Sequence, residues 1–192
     1  MQNDYNINPS IACAIIFPEL IRYSRFRDFM ETSALEIAYV SGGATMVDFS
    51  IGQFQMKPSF VEMIENELKI IGNDKLAFNE ITYYPSTFSV QDIRRERLTR
   101  LKSQHWQQIY LACFIMLAKY RFENEIINNP SEELLILSSA YNLGLRANYF
   151  DLLRVAELKT FPYGRILGGR YSYYDVSYYF YTNHSHLIQT NL

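Results

Sequence analysis

At 192 residues with 48% apolar composition, the chain is long enough for one well-buried core, so a single domain over 1–192 is the first expectation. A formal charge of −2 leaves no electrostatic footprint for nucleic acid. The one basic cluster, Arg94, Arg95, Arg97, Arg100 and Lys102, is broken by Glu96 and reads as the wet face of a helix.

Helix punctuation recurs along the chain. Asn8 and Pro9 read as an N-cap and first helical residue, opening a helix through Ile11, Ala12, Ile15 and Ile16 toward Glu19. Pro18 should kink or end that helix, because an interior proline removes a backbone bond and crowds the preceding turn. A second helix is expected over 27–40, stopped by Ser41, Gly42 and Gly43. Ser59 and Glu62 form a capping box for a third, with Val61, Ile64, Leu68 and Ile71 on its apolar side and Gly72-Asn73 as its close. Ser89 and Asp92 cap one long amphipathic helix through Leu98, Leu101, Trp106, Ile109, Phe114 and Leu117. After Asn129 and Pro130, Ser131 caps a helix that ends at Gly144.

This series predicts a mainly α fold. The tyrosine-rich tail, 161–192, suits either a short last helix or an extended segment, with its rings covering core or lining a groove. Cys13 and Cys113 lie inside apolar runs and are expected as two buried thiols rather than a disulfide. The apolar runs 11–17 and 109–118 fall short of the ~20 residues a membrane span needs, and the first ten residues do not resemble a secretory signal.

No Gly-x-Ser-x-Gly elbow, Walker A or dinucleotide fingerprint occurs, so no cofactor is expected. His184-x-His186 has no acidic or thiol partner nearby in sequence, and no metal is expected there. The most suggestive single residue is Glu19, the one acid inside the first apolar helix. Desolvation disfavours a carboxylate, so an acid in such surroundings can keep its proton for donation to a departing oxygen. The alternative is that Glu19 faces solvent, as most glutamates do.

Three segments, in order, carry a resemblance. They are 16–24 around Glu19; Gly52-Gln53-Phe54-Gln55-Met56-Lys57-Pro58, of the form Gly-x-x-Gln-x-x-Pro; and Ala140-Tyr141-Asn142-Leu143-Gly144. Over 9–144 the chain resembles the lysozyme-like lytic transglycosylases and goose-type lysozymes, which implies a lysozyme-like helical domain with a substrate cleft. The resemblance implies cleavage of the β-1,4 bond between N-acetylmuramic acid and N-acetylglucosamine in peptidoglycan, with Glu19 as general acid and then base. It places Ser50, Gly52, Gln55, Tyr141 and Asn142 along the substrate, with Tyr141 near Glu19. For Gly52 the physical reason would be the close approach of a sugar ring, an ordinary turn glycine being the alternative.

Two departures stand out: Leu20 occupies the position after the acid where the family has Ser, and the spacer from Glu19 to Gly52 is long. The spacer keeps Glu31 and Glu36 as rivals to Glu19. Asp48 is the candidate second carboxylate. If it faces the acid, hydrolysis follows; otherwise a single-carboxylate transglycosylase mechanism does. The competing reading is a catalytically silent lysozyme-fold domain that binds glycan or serves an envelope or secretion assembly. Either implies work in the periplasm or cell envelope, with an export signal outside this sequence or a partner system for delivery.

Overall fold

A computed structural model of the chain describes residues 7–23, 25–71, 79–126, 129–161 and 169–189. Helices account for 70% of the chain, and no strand occurs among the described residues, so the mainly α expectation holds. The ten described helices are α1 (Pro9–Arg22), α2 (Arg25–Gly42), α3 (Pro58–Ile71), α4 (Asn79–Thr82), α5 (Val90–Lys102), α6 (Gln104–Arg121), α7 (Pro130–Leu143), α8 (Tyr149–Glu157), α9 (Tyr173–His184) and α10 (His186–Gln189). None is long and apolar enough to cross a membrane. The expected domain over 1–192 resolves into two compact units: unit 1, Met1–Arg22 with Phe114–Leu192, and unit 2, Tyr23–Cys113.

In unit 1, α1, α7 and α9 pack pairwise on one another, α8 lies against α7 and α9, and α10 lies against α1. The expected cap of α1 is present: Ser10 N–H donates to Asn8 Oδ1 at 2.9 Å, and Pro9 opens the helix. Pro18 does not end α1, which continues to Arg22. Burial of Ile11, Ala12, Ala14, Ile15 and Ile16 on α1 accounts for this persistence, since apolar packing of several kcal/mol offsets the ~3 kcal/mol cost of an interior proline. The cap of α7 is Asn129 rather than Ser131: its Oδ1 accepts from Ser131 N–H at 3.0 Å, with Pro130 at the first helical position. Gly144 stops α7 at φ 118°, a conformation that side chains oppose.

The tail resolves as helix. Ser172 and Asp175 form a capping box for α9, and an isolated antiparallel bridge joins Phe161 to Tyr171 ahead of it. Gly72-Asn73, the expected close of α3, lies outside the described residues.

In unit 2, α3 packs on α4 and α5, and α2 packs on α5. The predicted long helix from Val90 is two helices. Ser103 adopts an extended conformation (φ −90°, ψ 123°) and caps α5, and α6 restarts at Gln104. The Ser59–Glu62 capping box also gives way to another arrangement: Pro58 is already helical, and Asp48, distant in sequence, caps α3. Its Oδ1 accepts from Ser59 N–H at 3.1 Å and its Oδ2 from the Ser59 hydroxyl at 2.7 Å.

The basic cluster is only partly a wet face. Arg95 is exposed, but Arg97 and Arg100 turn inward. Fully buried Glu65 explains Arg97: the carboxylate takes the guanidinium at 2.9 Å and accepts the hydroxyls of Tyr84 at 2.6 Å and Tyr110 at 3.1 Å. A buried charge persists only when paired and hydrogen-bonded, and Glu65 is both. Arg100 donates to the Ile81 and Tyr83 carbonyls and lies over the rings of Tyr84 and Trp106. Cys13 and Cys113 are both free thiols; Cys113 is buried and Cys13 partly so.

Candidate functional site

Glu19 points inward. It is 7% exposed on α1, beside buried Ile15 and Ile16, while Leu20 and Ile21 of the expected apolar collar face outward. Arg22, one turn further along the same helix, brings Nη2 to 2.8 Å from Glu19 Oε2. That guanidinium stabilises the carboxylate and so opposes the desolvation that favours the protonated acid.

Two tyrosines complete the surroundings within unit 1. Tyr141, near the end of α7, packs edge-on to Phe114 with ring centroids 5.3 Å apart. Part of Tyr141 remains accessible, yet burial of its hydroxyl, and then the neighbouring Glu19 charge, push that hydroxyl well above its ordinary range. Tyr173, at the start of α9, is raised in the same way by burial first and the Glu19 charge next. Its hydroxyl donates to the Ile15 carbonyl at 3.0 Å. The predicted neighbours Glu19 and Tyr141 therefore interact, because the packing of α1, α7 and α9 brings distant segments together. Asn142, the next residue of that motif, is exposed.

The second predicted segment belongs to unit 2 and is a tight loop. Ile51 and Met56 exchange backbone hydrogen bonds at 2.9 and 3.2 Å, and the buried side chains of Ile51, Phe54 and Met56 anchor it. Gly52 (φ 70°) and Gln55 (φ 51°) are both left-handed. The space a Cβ on Gly52 would need is filled by the Gln107 amide, so the missing side chain admits Gln107 at that point rather than a sugar. Gln107 in turn accepts from Phe54 N–H at 2.9 Å and donates to the Leu101 carbonyl at 2.6 Å, joining the loop to the end of α5.

Gln55 donates through Nε2 to the Gly52 carbonyl at 2.8 Å, which offsets the cost of its backbone conformation and commits its amide nitrogen to the turn. Ser50, just before the loop, is half-buried. Asp48 is exposed, with both carboxylate oxygens engaged by Ser59 and with Lys57 Nζ at 4.0 Å.

Of the rival acids, Glu36 forms a surface ion pair with Lys102 at 2.8 Å. The pair borders a groove of about 420 Å³ between α2 and α5. The Glu31 side chain lies outside the described residues. His184 of the His-x-His motif packs against the rings of Tyr179 and Phe180.

Three residues at these sites escaped the sequence reading. Arg22 was discoverable from its i+3 spacing to Glu19. Tyr173 follows Ser172, whose capping box with Asp175 marks a helix start and so fixes where the ring enters. Gln107 carries no local signal. No family model, curated protein or solved structure matches this chain.

Proposed function

We propose that the chain is a peptidoglycan-cleaving lytic transglycosylase in which Glu19 is the general acid and then the base. One observation carries the reading: a buried glutamate at the predicted position, electrostatically coupled to Tyr141, the distant residue that the motif order pairs with it. Protonated Glu19 donates to the oxygen between N-acetylmuramic acid and N-acetylglucosamine as the C1–O bond breaks. The resulting carboxylate removes the proton of the same muramic residue's C6 hydroxyl as its oxygen closes on C1, giving a 1,6-anhydro end and regenerating the acid. The engagement of Asp48 by Ser59 favours this route over one with two carboxylates.

Ser50, Gln55 and Asn142 would contact the glycan, and action on peptidoglycan would put the protein in the periplasm or cell envelope. Mass spectrometry of muropeptides released by wild type and Glu19→Gln tests the assignment. Anhydro-ended products from wild type and none from the variant are expected; equal release by both refutes it. The Arg22 ion pair favours a second reading, a non-cleaving glycan-binding domain, because it holds Glu19 as a carboxylate. Binding of murein by both proteins with no cleavage by either would select it.

A further inference from the structure

Glu19 must carry a proton before it can act as an acid, and two neighbours oppose that. Arg22 Nη2 lies 2.8 Å from Glu19 Oε2. The Tyr173 hydroxyl, which donates to the Ile15 carbonyl at 3.0 Å, is also hydrogen-bonded to the Glu19 side chain in the sense that favours the carboxylate. Burial of Glu19 pulls the other way. The two opposing groups differ in access. Tyr173 is 3% exposed, set in place by the Ser172–Asp175 cap and by the Phe161 ring, which meets it edge-on. The Arg22 side chain, in the last turn of α1, is 32% exposed. Arg22 is therefore the one of the two that an arriving ligand can reach.

A guanidinium keeps its charge across the working pH range, and its fork of five N–H donors matches carboxylates. A neutral aminosugar offers hydroxyls and an acetamido group, which compete poorly for a cation already paired with a carboxylate. N-acetylmuramic acid differs, because the lactyl ether on its ring ends in a carboxyl that is either free or extended by a peptide with carboxylates of its own. A carboxylate that reaches Arg22 from the solvent side shares the cation with Glu19. Two carboxylates in one site disfavour each other's charge, and the buried one, already desolvated, is the one that takes up a proton.

We infer that Arg22 is a specificity-determining residue that receives a carboxylate of the muramic unit, and that this binding and the protonation of Glu19 promote one another. The inference rests on the reading of Glu19 as a general acid, and it makes the acid form a consequence of substrate binding. Around Glu19, α7 contributes Tyr141 and α9 contributes Tyr173, hydroxyls that burial and then the Glu19 charge keep protonated through the neutral range. Elsewhere on α9, Asp175 is engaged in the cap and His184 lies against Tyr179 and Phe180, and α10 adds the exposed His186.

The test is carbon-13 NMR titration of the Glu19 carboxyl in the full chain, assigned with Glu19→Gln, alone and with each of three probes at matched ionic strength. The probes are N-acetylglucosamine, N-acetylmuramic acid and N-acetylmuramoyl-L-alanyl-D-glutamate, whose lactyl carboxyl is amidated. The Glu19 midpoint is expected to rise by about one pH unit with an anionic probe, a roughly tenfold coupling, and to stay in place with N-acetylglucosamine. A rise with N-acetylmuramic acid assigns the recognised carboxylate to the lactyl group, and a rise with the dipeptide alone assigns it to the peptide. No rise with either anion, or the same rise with N-acetylglucosamine, overturns the inference. Arg22→Gln should abolish the probe-dependent shift, and a shift that survives it overturns the inference as well. Should that variant not fold, the wild-type comparison of the three probes still decides. None of these measurements needs turnover, so failure to release muropeptides would refute the proposed reaction without touching this result.

Discussion

Gly52→Ala separates a structural glycine from one that lets a sugar approach. A Cβ at Gly52 collides with the Gln107 amide, and the backbone there is left-handed at φ 70°. The conformation alone costs an alanine about 1–2 kcal/mol. Expelling Gln107 removes its bonds to Leu101 O (2.6 Å) and Phe54 N–H (2.9 Å), each worth a net ~0.5–1.5 kcal/mol. Gly52→Ala should therefore destabilise by about 2–5 kcal/mol. In a Gln107→Ala background the strain and a 3.0 Å approach to the Leu101 carbonyl remain, so the same substitution should cost less by the two lost bonds, a coupling of roughly 2 kcal/mol. Urea denaturation of the four proteins of this cycle, with constant m, gives the comparison directly. Equal costs in both backgrounds would refute the argument. A stable Gly52→Ala protein that no longer binds murein would instead restore the steric role for a sugar.

Arg22→Gln removes the cation that stabilises the Glu19 carboxylate, so if Glu19 is the acid, the upper limb of the pH–activity profile should move alkaline by roughly one pH unit; an acid shift would contradict the ion pair's role. Arg97→Met strands the buried Glu65 carboxylate and should destabilise by about 3–5 kcal/mol in thermal or urea unfolding, whereas a loss below ~1 kcal/mol would show that the tyrosine hydroxyls suffice. Burial raises the hydroxyls of Tyr39, Tyr84, Tyr110, Tyr141 and Tyr173 above the tyrosine range. Their contribution to stability is fully present below the unfolded value of about 10 and is lost as pH rises above it. Absorbance titration at ~295 nm should show these rings ionising only together with alkaline unfolding; free titration in the folded state would refute their burial.

Local grammar was legible where the partner sits within a turn of the residue that needs it. Asn8 and Pro9 open α1, Ser89 and Asp92 cap α5, and Gly144 stops α7, each through bonds spanning four residues or fewer. Non-local partners were not legible, because the residue at each end is generic. Ser59 carries a plausible cap of its own, and nothing near it in sequence reveals that Asp48 takes its N–H and hydroxyl instead. Arg97 and Arg100 look like solvent-facing charges because a helix's own pattern says nothing about a Glu65 carboxylate or the Ile81 and Tyr83 carbonyls brought from elsewhere. The long helix broke at Ser103 for the same reason: Gln107 takes up the Leu101 carbonyl and ties the break to the loop at Phe54.

The same division runs through the candidate site and bears on its chemistry. An apolar run around Glu19 is enough to predict burial, and burial alone argues for a protonated acid. Burial is only one of the influences on the carboxyl. Arg22 pulls it toward the charged form, and Tyr173, held by the Ser172–Asp175 cap and the Phe161 bridge, bears on it from a tail that shares no motif with the rest. Truncating the chain before Phe161 should therefore change the titration of Glu19 even though every motif residue survives. A point variant sharpens that expectation: Arg22→Gln should raise the Glu19 midpoint, because it removes the cation that favours the carboxylate. A lowered midpoint would mean that general loosening of α1, and not this ion pair, governs the acid.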